Sequence, residues 1–332
     1  MSRTRLLTQR DVAHLTDMPT AIRVVREAIK AMARGDTVMP PKLYLPVPGG
    51  NDFRAMPAFL KRPPACGVKW VNVHPQNPAR GLPTVMAVII INDPDTGAPL
   101  AVMDGLRITK LRTAAAAAVA AQALARRDSR VVGLIGCGAQ ADAQLAALAE
   151  VFRLRHVKVW GLLAGEAARF CRRMARQLPG AVYEPCESLE QAARDVDLLV
   201  TVTPSRRALI KRAWIAPGTH INAVGADAPG KQELDPAILR DAVVVVDERE
   251  QAIHGGELNV PVSRGQYDPR RIRASLGAIL LGRKPGRRSP NEITVFDSTG
   301  LAIHDIALGA DILRRAQRRS IGRHVTLFAQ SI

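Results

Sequence analysis

Apolar and polar positions follow two rhythms along this chain. In the first third, helical and alternating patterns are mixed. Thr8 reads as the N-cap of a short helix to Leu15. Asp17-Met18-Pro19 opens a second helix, with Ile22, Val25, Ala28, Ile29 and Met32 on one face and Gly35 as its stop. Strand-like runs follow at Lys42–Val47, Asp52–Met56, Val68–Val73, Pro83–Asn92 and Pro99–Met103, with turns at Pro48-Gly49-Gly50 and Asp93–Gly97. Together they predict a mostly antiparallel sheet with two covering helices. Arg107–Arg126 reads as a helix whose Ala114–Ala118 run favours helix and permits close packing.

From Arg130 the rhythm becomes regular. Short apolar runs at Val131–Ile135, Val157–Trp160, Leu198–Thr203, His220–Val224, Val243–Asp247 and Ile293–Phe296 alternate with helical stretches. The helices are predicted after Gly138, at Glu166–Gln177, after the capping-box spacing Ser188–Gln191, at Pro236–Arg240, at Pro269–Leu281 and at Leu301–Arg318. Val325–Phe328 is predicted as a strand returning to the N-terminal sheet. Such alternation predicts an α/β fold: a Rossmann-type, doubly wound parallel sheet inserted in an α+β domain. The expected boundaries are 1–120 plus 301–332 for the outer domain and 121–300 for the inserted one.

The first β-α turn of the regular half carries the strongest motif. Gly136-Cys137-Gly138-Ala139-Gln140-Ala141 spells G-x-G-x-x-A between a strand and a helix, which is the dinucleotide fingerprint. Gly136 permits the tight turn, Gly138 admits a pyrophosphate, and Ala141 keeps the helix near the strand. The helix N-terminus then offers unpaired N–H groups and a positive dipole end.

Composition narrows the class. The 332 residues are 47% hydrophobic and carry a formal net charge of +17. The basic residues are dispersed and only 4% of residues are aromatic, so the charge reads as a basic surface that attracts anionic substrates, not as a nucleic-acid face. Cys66, Cys137, Cys171 and Cys186 are scattered, with no C-x-x-C and no His at zinc spacing, so no metal site is expected and a reduced, cytoplasmic setting fits. No signal peptide or membrane span is read from the apolar runs.

A dinucleotide site needs substrate-holding groups elsewhere. Lys42, Arg54, Lys69 and Arg112 are isolated cations in or beside strand-like segments, and Lys69 sits between Val68 and Trp70. An inward lysine must be paired and titrates easily once desolvated. Alternation alone makes inward and outward equally good readings for any one of them. Asp227 follows a strand end, where open α/β sheets bind ligands, and is a candidate acid/base. An Asx-turn cap before Pro229 is the alternative. In Phe296-Asp297-Ser298-Thr299-Gly300, capping of the next helix by Asp297 or Ser298 explains the composition equally well.

The ordered segments MPPKLYL, RAMPAFL, VKWVNVHPQNP, GLPTVMAVIIIND, GAPLAVMDG, LRTAAAAAVAA, GLIGCGAQA, TVTPS, INAVGADAPGKQELDP, HGGELNVPVS and VFDSTGLAIHDIA together resemble the ornithine cyclodeaminase/μ-crystallin family. MPPK, RAMPA, GADAPGKQELD and FDSTGLAI are most similar to its archaeal-type alanine dehydrogenase branch.

The resemblance implies a homodimeric, nicotinamide-dependent enzyme of small 2-oxo and 2-amino acids, using NAD or NADP, with the outer domain binding substrate and forming the dimer. It implies that Lys69, Arg112 and Arg54 bind substrate and that Lys69 and Asp227 are catalytic. It implies cofactor contacts at Thr84, Arg112, Thr113, Gly136, Gly138, Ala139, Gln140, Ala141, Thr201, Thr203, Pro204, Ser205, Val224, Gly225, Lys231 and Ser298. Alanine dehydrogenase is the leading activity. Cyclic ketimine reduction is the alternative, ahead of ornithine cyclodeamination and of non-catalytic ligand binding. Cyclodeaminating members carry Glu where this chain has Arg54. Ala139 stands where the turn commonly has Thr, and Val202 interrupts a commoner TTTPS; both would weaken cofactor contacts. Gly161 stands where the second strand normally ends in the acid that reads the adenosine ribose. Weak discrimination between NAD and NADP is therefore expected, with Gly161→Asp shifting preference toward NAD.

Overall fold

The computed structural model describes residues 3–327. The chain divides into two compact units, one taking residues up to Arg112 and again from Leu301 onward, the other taking Thr113–Gly300. The first crossing falls at Arg112/Thr113, within a continuous helix, and not at the expected residue 120.

In chain order the first part runs β1 (Thr4–Leu7), α1 (Gln9–Leu15), α2 (Met18–Arg34), β2 (Thr37–Val38), β3 (Leu43–Val47), β4 (Asn51–Lys61), β5 (Pro64–Val73), β6 (Val85–Asn92) and β7 (Pro99–Asp104). The crossing helix α3 (Leu106–Leu124) leads to β8 (Val131–Ile135), α4 (Ala141–Ala149), β9 (His156–Trp160), α5 (Glu166–Gln177), β10 (Val182–Pro185), α6 (Leu189–Ala193) and β11 (Leu198–Thr201). Then come β12 (Arg206–Ile210), β13 (His220–Ala223), β14 (Gln232–Leu234), α7 (Pro236–Asp241), β15 (Val243–Val246), α8 (Arg249–Gly255), α9 (Asn259–Ser263), β16 (Ala274–Ser275), α10 (Leu276–Leu280) and β17 (Thr294–Asp297). The chain returns with α11 (Ala302–Arg318) and β18 (Arg323–Val325).

The first unit is a sheet in the order β18-β1-β7-β6-β5-β4-β2, with β3 also on β4. Its pairs are antiparallel except β1–β7, which is parallel. β1 was not visible in the sequence, because TRLL is too short to show a period. β18 pairs with β1 two residues earlier than expected; Phe328, in the expected strand, lies outside the described residues. Local signals start both covering helices. Thr8 and Asp11 form a reciprocal capping box on α1, and Asp17 accepts the Thr20 N–H at the start of α2. α2 and α11 lie against one another, and α11 also lies on β4, β5 and β6. Gly67 allows that approach, since a Cβ there would collide with the Ile90 carbonyl oxygen and stand 3.2 Å from Ile306 Cδ1.

The opposite face of this sheet is apolar and open. Leu43, Ala55, Trp70 and Val88 stand side by side across four strands. Leu43, Trp70 and Val88 are 60%, 41% and 44% exposed, so no described part of the chain covers them.

The second unit holds an all-parallel sheet in the order β10-β9-β8-β11-β13-β17-β15-β16. Order reverses between β8 and β11, the switch point of a doubly wound sheet. Both faces are buried, as near-continuous apolar strands require. Val132, Leu134, Val157 and Val159 pack with Leu145, Phe170 and Met174; Ile135, Leu199, Ile221 and Val244 pack on the other side with Leu239 and Leu258.

The expected helix at Pro269–Leu281 is not one helix. A 3-10 turn at Pro269–Arg271 gives way to β16, which pairs with Val245–Val246, and Ser275 then caps α10. Edge pairing outweighs a helical period there. The strand expected at Leu198–Thr203 stops at Thr201, and Val202–Ser205 is loop. β10, the small parallel pair β12–β14, and helices α8 and α9 had no expectation attached.

Candidate active site

In the first unit, three predicted cations share one buried face. β4 and β5 pair so that Met56 stands opposite Lys69 and Arg54 opposite Val71. Arg54, Met56, Ala58 and Leu60 are the buried alternate positions of β4. Arg54 and Lys69 therefore point to the helix-covered side, which alternation alone could not decide. Lys69 is 1% exposed. Its Nζ donates to Asp305 Oδ2 at 2.8 Å, and Arg112 Nε donates to Asp305 Oδ1 at 3.1 Å. Asp305 lies in the first turn of α11 and is fully buried. It had no role in the sequence reading, although a lone acid beside the apolar positions Ile303 and Ile306 was a usable signal. Arg54 forms a two-pronged pair with Asp52, Nε–Oδ1 2.7 Å and Nη2–Oδ2 3.1 Å, and its guanidinium lies over the Tyr44 ring.

The electrostatics of this cluster are unbalanced. Burial, and then the Arg112 charge, push Lys69 down to about 7, with Lys42 adding to the effect and Asp305 opposing it. Burial alone would raise Asp305; the Arg112 and Lys69 charges outweigh it and hold its carboxyl below the ordinary value. His304, also fully buried, is driven down to about 3 by burial and then by Arg112, so its ring is neutral. Neither of its ring nitrogens has a hydrogen-bond partner among the described residues. Two buried cations share one carboxylate, leaving a site of positive potential that titrates near neutrality. That arrangement suits a small carboxylate.

Thr84, expected at the cofactor, lies in the loop before β6, where its carbonyl accepts the His74 N–H at 2.7 Å.

In the second unit, the fingerprint turn has the shape a dinucleotide requires. Gly136 has φ +107°, and its N–H donates to the Trp160 carbonyl at 2.9 Å, tying β8 to the end of β9. A Cβ there would stand 3.1 Å from Thr203 Cγ2 and 3.2 Å from the Val202 carbonyl. Gly138 differs, because a Cβ at that position meets nothing within 4 Å. The protein's own packing does not demand glycine at 138; an approaching pyrophosphate would. No side chain caps α4, whose N-cap is Gln140, and the Gln140 Oε1 is buried without a partner. Ala139 and Ala141 complete the turn, Ala141 fully buried as first residue of α4. The residues present thus fit a dinucleotide phosphate.

The other predicted cofactor residues gather at the carboxyl ends of the parallel strands. Thr201 ends β11, and the Val224 and Gly225 N–H groups both donate to its carbonyl. Glu233, fully buried and unforeseen, binds two of these loops together. It accepts the Thr203 N–H and hydroxyl at 2.7 Å each and the Gly225 N–H at 2.9 Å. Gly225 must be glycine, since a Cβ would collide with the Thr203 carbonyl. Ser205 follows Pro204 and donates its hydroxyl to the Arg207 carbonyl. Glu257, raised well above the ordinary range by burial and then by Glu233, accepts the Glu233 and Leu234 N–H groups. Asp227 is about a third exposed and pairs with Lys231 at 2.6 Å. Thr113 is buried on α3, and Ser298 is buried beyond β17.

Two expectations here are corrected. Asp297 does not cap the helix that follows it: its carboxylate accepts the Glu257 and Leu258 N–H groups, and α11 begins at Ala302 behind Leu301, with no side-chain cap. Gly161 is not an open position for an acid. A Cβ there would stand 2.8 Å from Glu166 Oε2 and 3.0 Å from Cys137 Sγ, so Gly161→Asp would set one carboxylate against another.

Among the described residues no group of three or more His, Cys, Asp or Glu could hold a metal, and no helix is long and apolar enough to cross a membrane. All four cysteines are free.

The chain combines a doubly wound sheet that carries a dinucleotide turn with a unit that carries a buried cation cluster, the pairing of a nicotinamide-type α/β protein. The ornithine cyclodeaminase/mu-crystallin family model matches residues 2–319, and the chain belongs to that family. The alanine dehydrogenase of Archaeoglobus fulgidus is 47% identical over 98% of this chain and 99% of its own. An archaeal alanine dehydrogenase dimer with bound NAD superimposes with a TM-score of 0.94, covering 98% of this chain and 100% of that one. The Thermococcus litoralis Δ1-pyrroline-2-carboxylate reductase, solved with NADH and L-proline, also gives 0.94 at 36% identity, covering 97% and 100%.

Proposed function

We propose that this protein is an NAD(P)-dependent oxidoreductase of small 2-amino and 2-oxo acids, acting as an alanine dehydrogenase. The observation that carries the reading is the buried Lys69–Asp305–Arg112 cluster, with Arg54 on the same face. It is joined by 47% identity to an alanine dehydrogenase across nearly the whole chain. Arg112 supplies a guanidinium for the substrate carboxylate. Lys69, charged below about pH 7, donates to the 2-oxo oxygen or imine nitrogen. Asp305 holds both cations in place without consuming all of their charge. Ammonia adds to the carbonyl carbon of pyruvate and water leaves, giving the imine; Asp227 takes up and returns the protons of those steps. The nicotinamide, when bound, supplies the hydride to that carbon, and the product is alanine. Arg54 is opposite in charge to what a distal amine would need, which opposes ornithine as substrate.

A second reading is reduction of a cyclic imine such as Δ1-pyrroline-2-carboxylate, favoured by the equal structural match to that reductase. It uses the same cations. The oxidative direction separates the two: alanine-dependent reduction of the dinucleotide exceeding that with proline supports the proposal, and the reverse order replaces it with the second reading.

The open face of the first unit's sheet favours a homodimer. A row of exposed Leu43, Trp70 and Val88, with Phe53 stacked on Trp70, is a contiguous apolar strip of the kind that an isologous contact buries. Four free cysteines suit a reducing compartment such as the cytoplasm.

A further inference from the structure

The nucleotide unit carries an acid at the end of its second strand that does not come from the strand. β9 stops at Trp160, and Gly161 follows where an acid would ordinarily face the adenosine ribose. Glu166 fills that place from the helix side. Its Oε2 lies 2.8 Å from the point where a residue-161 Cβ would be, and its own Cβ lies 3.2 Å away. An aspartate at 161 would carry its carboxyl oxygens at about that reach. Gly165, at φ +71°, turns the chain so that Glu166 opens α5 beside the strand end. The Leu163 N–H donates to Glu166 Oε2 at 3.3 Å and helps fix it. Among the described residues Glu166 has no ion pair. The carboxylate also bears on the fingerprint turn: burial and then the Glu166 charge push the Cys137 thiol up to about 12.

A competing charge stands on the same helix. Arg169, Arg172, Arg173 and Arg176 line a shallow depression along α5, which would attract a phosphate; Arg169 Nη1 stands 3.1 Å from where a Cβ on Gly165 would be, and the Arg173 charge opposes that of Glu166 at Cys137. All four are exposed, whereas Glu166 is partly buried. Solvent screens these exposed arginines more strongly than the partly buried carboxylate.

We propose that Glu166 reads the adenosine ribose hydroxyls of NAD and repels the 2′-phosphate of NADP, replacing the missing strand-end acid. The inference rests on the reading of Gly136–Ala141 as a dinucleotide turn. It makes the protein NAD-selective, against the weak discrimination that Gly161 alone suggests.

Fluorescence titration of the purified protein with NADH and NADPH, without substrate, tests it. Wild type is expected to bind NADH at least about tenfold tighter than NADPH. Glu166→Gln keeps the size and removes the charge. It is expected to weaken NADH and to tighten NADPH, bringing the two within about threefold. A gain for NADPH cannot come from a damaged fold. Should the variant not fold, the wild type in rising salt carries the test, since screening should narrow its preference. A wild type that binds both equally or favours NADPH, a ratio unmoved in Glu166→Gln, or a preference flat in salt overturns the role of Glu166 alone. A wild type that binds neither dinucleotide overturns the dinucleotide reading with it.

Discussion

At the residue scale, Lys69 combines full burial with a titration near neutrality. Its folded pKa, about 7, lies below the unfolded value of 10.5, so the unfolded chain binds more protons between those limits. The contribution of Lys69 to stability therefore rises with pH across that window, and below about pH 7 its charge opposes folding. Lys69→Met would leave Arg112 and Asp305 as a one-to-one pair in a drier surround. Replacing a surplus buried charge by a hydrophobic side chain is often neutral or stabilising. Lys69→Met is expected to keep or raise the thermal midpoint at pH 6 while cutting turnover by about 10²-fold or more. A midpoint lowered by more than about 5 °C would show that the ammonium stabilises the fold. Asp227→Ala is expected to lose turnover on the same scale with NADH binding unchanged; near-normal turnover removes Asp227 from the mechanism. In the wild type, kcat/KM for the 2-oxo acid is expected to fall above about pH 7, as Lys69 loses its proton.

At the element scale, the fingerprint separates two kinds of glycine. Gly138→Ala adds a methyl where nothing in the protein lies within 4 Å, so the fold is expected to tolerate it while NADH affinity drops about tenfold or more. Unchanged NADH affinity would mean that no pyrophosphate approaches there. The strand–turn–helix reading of this segment came from the sequence because its period, glycines and flanks all agree. Lys69, Arg54 and Arg112 could be named as isolated cations, but the face they occupy needed the register of β4 against β5. Asp305, Glu233 and Glu166 went unassigned because their partners lie far along the chain or act through backbone N–H groups, which leave no spacing to read. Short strands such as β1, β10 and β16 were missed for a related reason: neighbours create them, not local propensity.

At the scale of the whole molecule, two consequences follow from surfaces and from chemistry. The uncovered row of Leu43, Trp70 and Val88 should be buried in a dimer. Sedimentation at micromolar concentration is expected to show a dimer, and Trp70→Glu is expected to shift it toward monomer by placing a charge in that row; a monomeric wild type contradicts the proposed interface. The chemistry is tested most directly by kcat/KM in the reductive direction. The purified protein with saturating NADH is compared on pyruvate plus ammonia and on Δ1-pyrroline-2-carboxylate. The account predicts NADH oxidation that requires both pyruvate and ammonia and is more efficient than with the cyclic imine. No turnover of pyruvate with ammonia beside brisk turnover of the cyclic imine would contradict it.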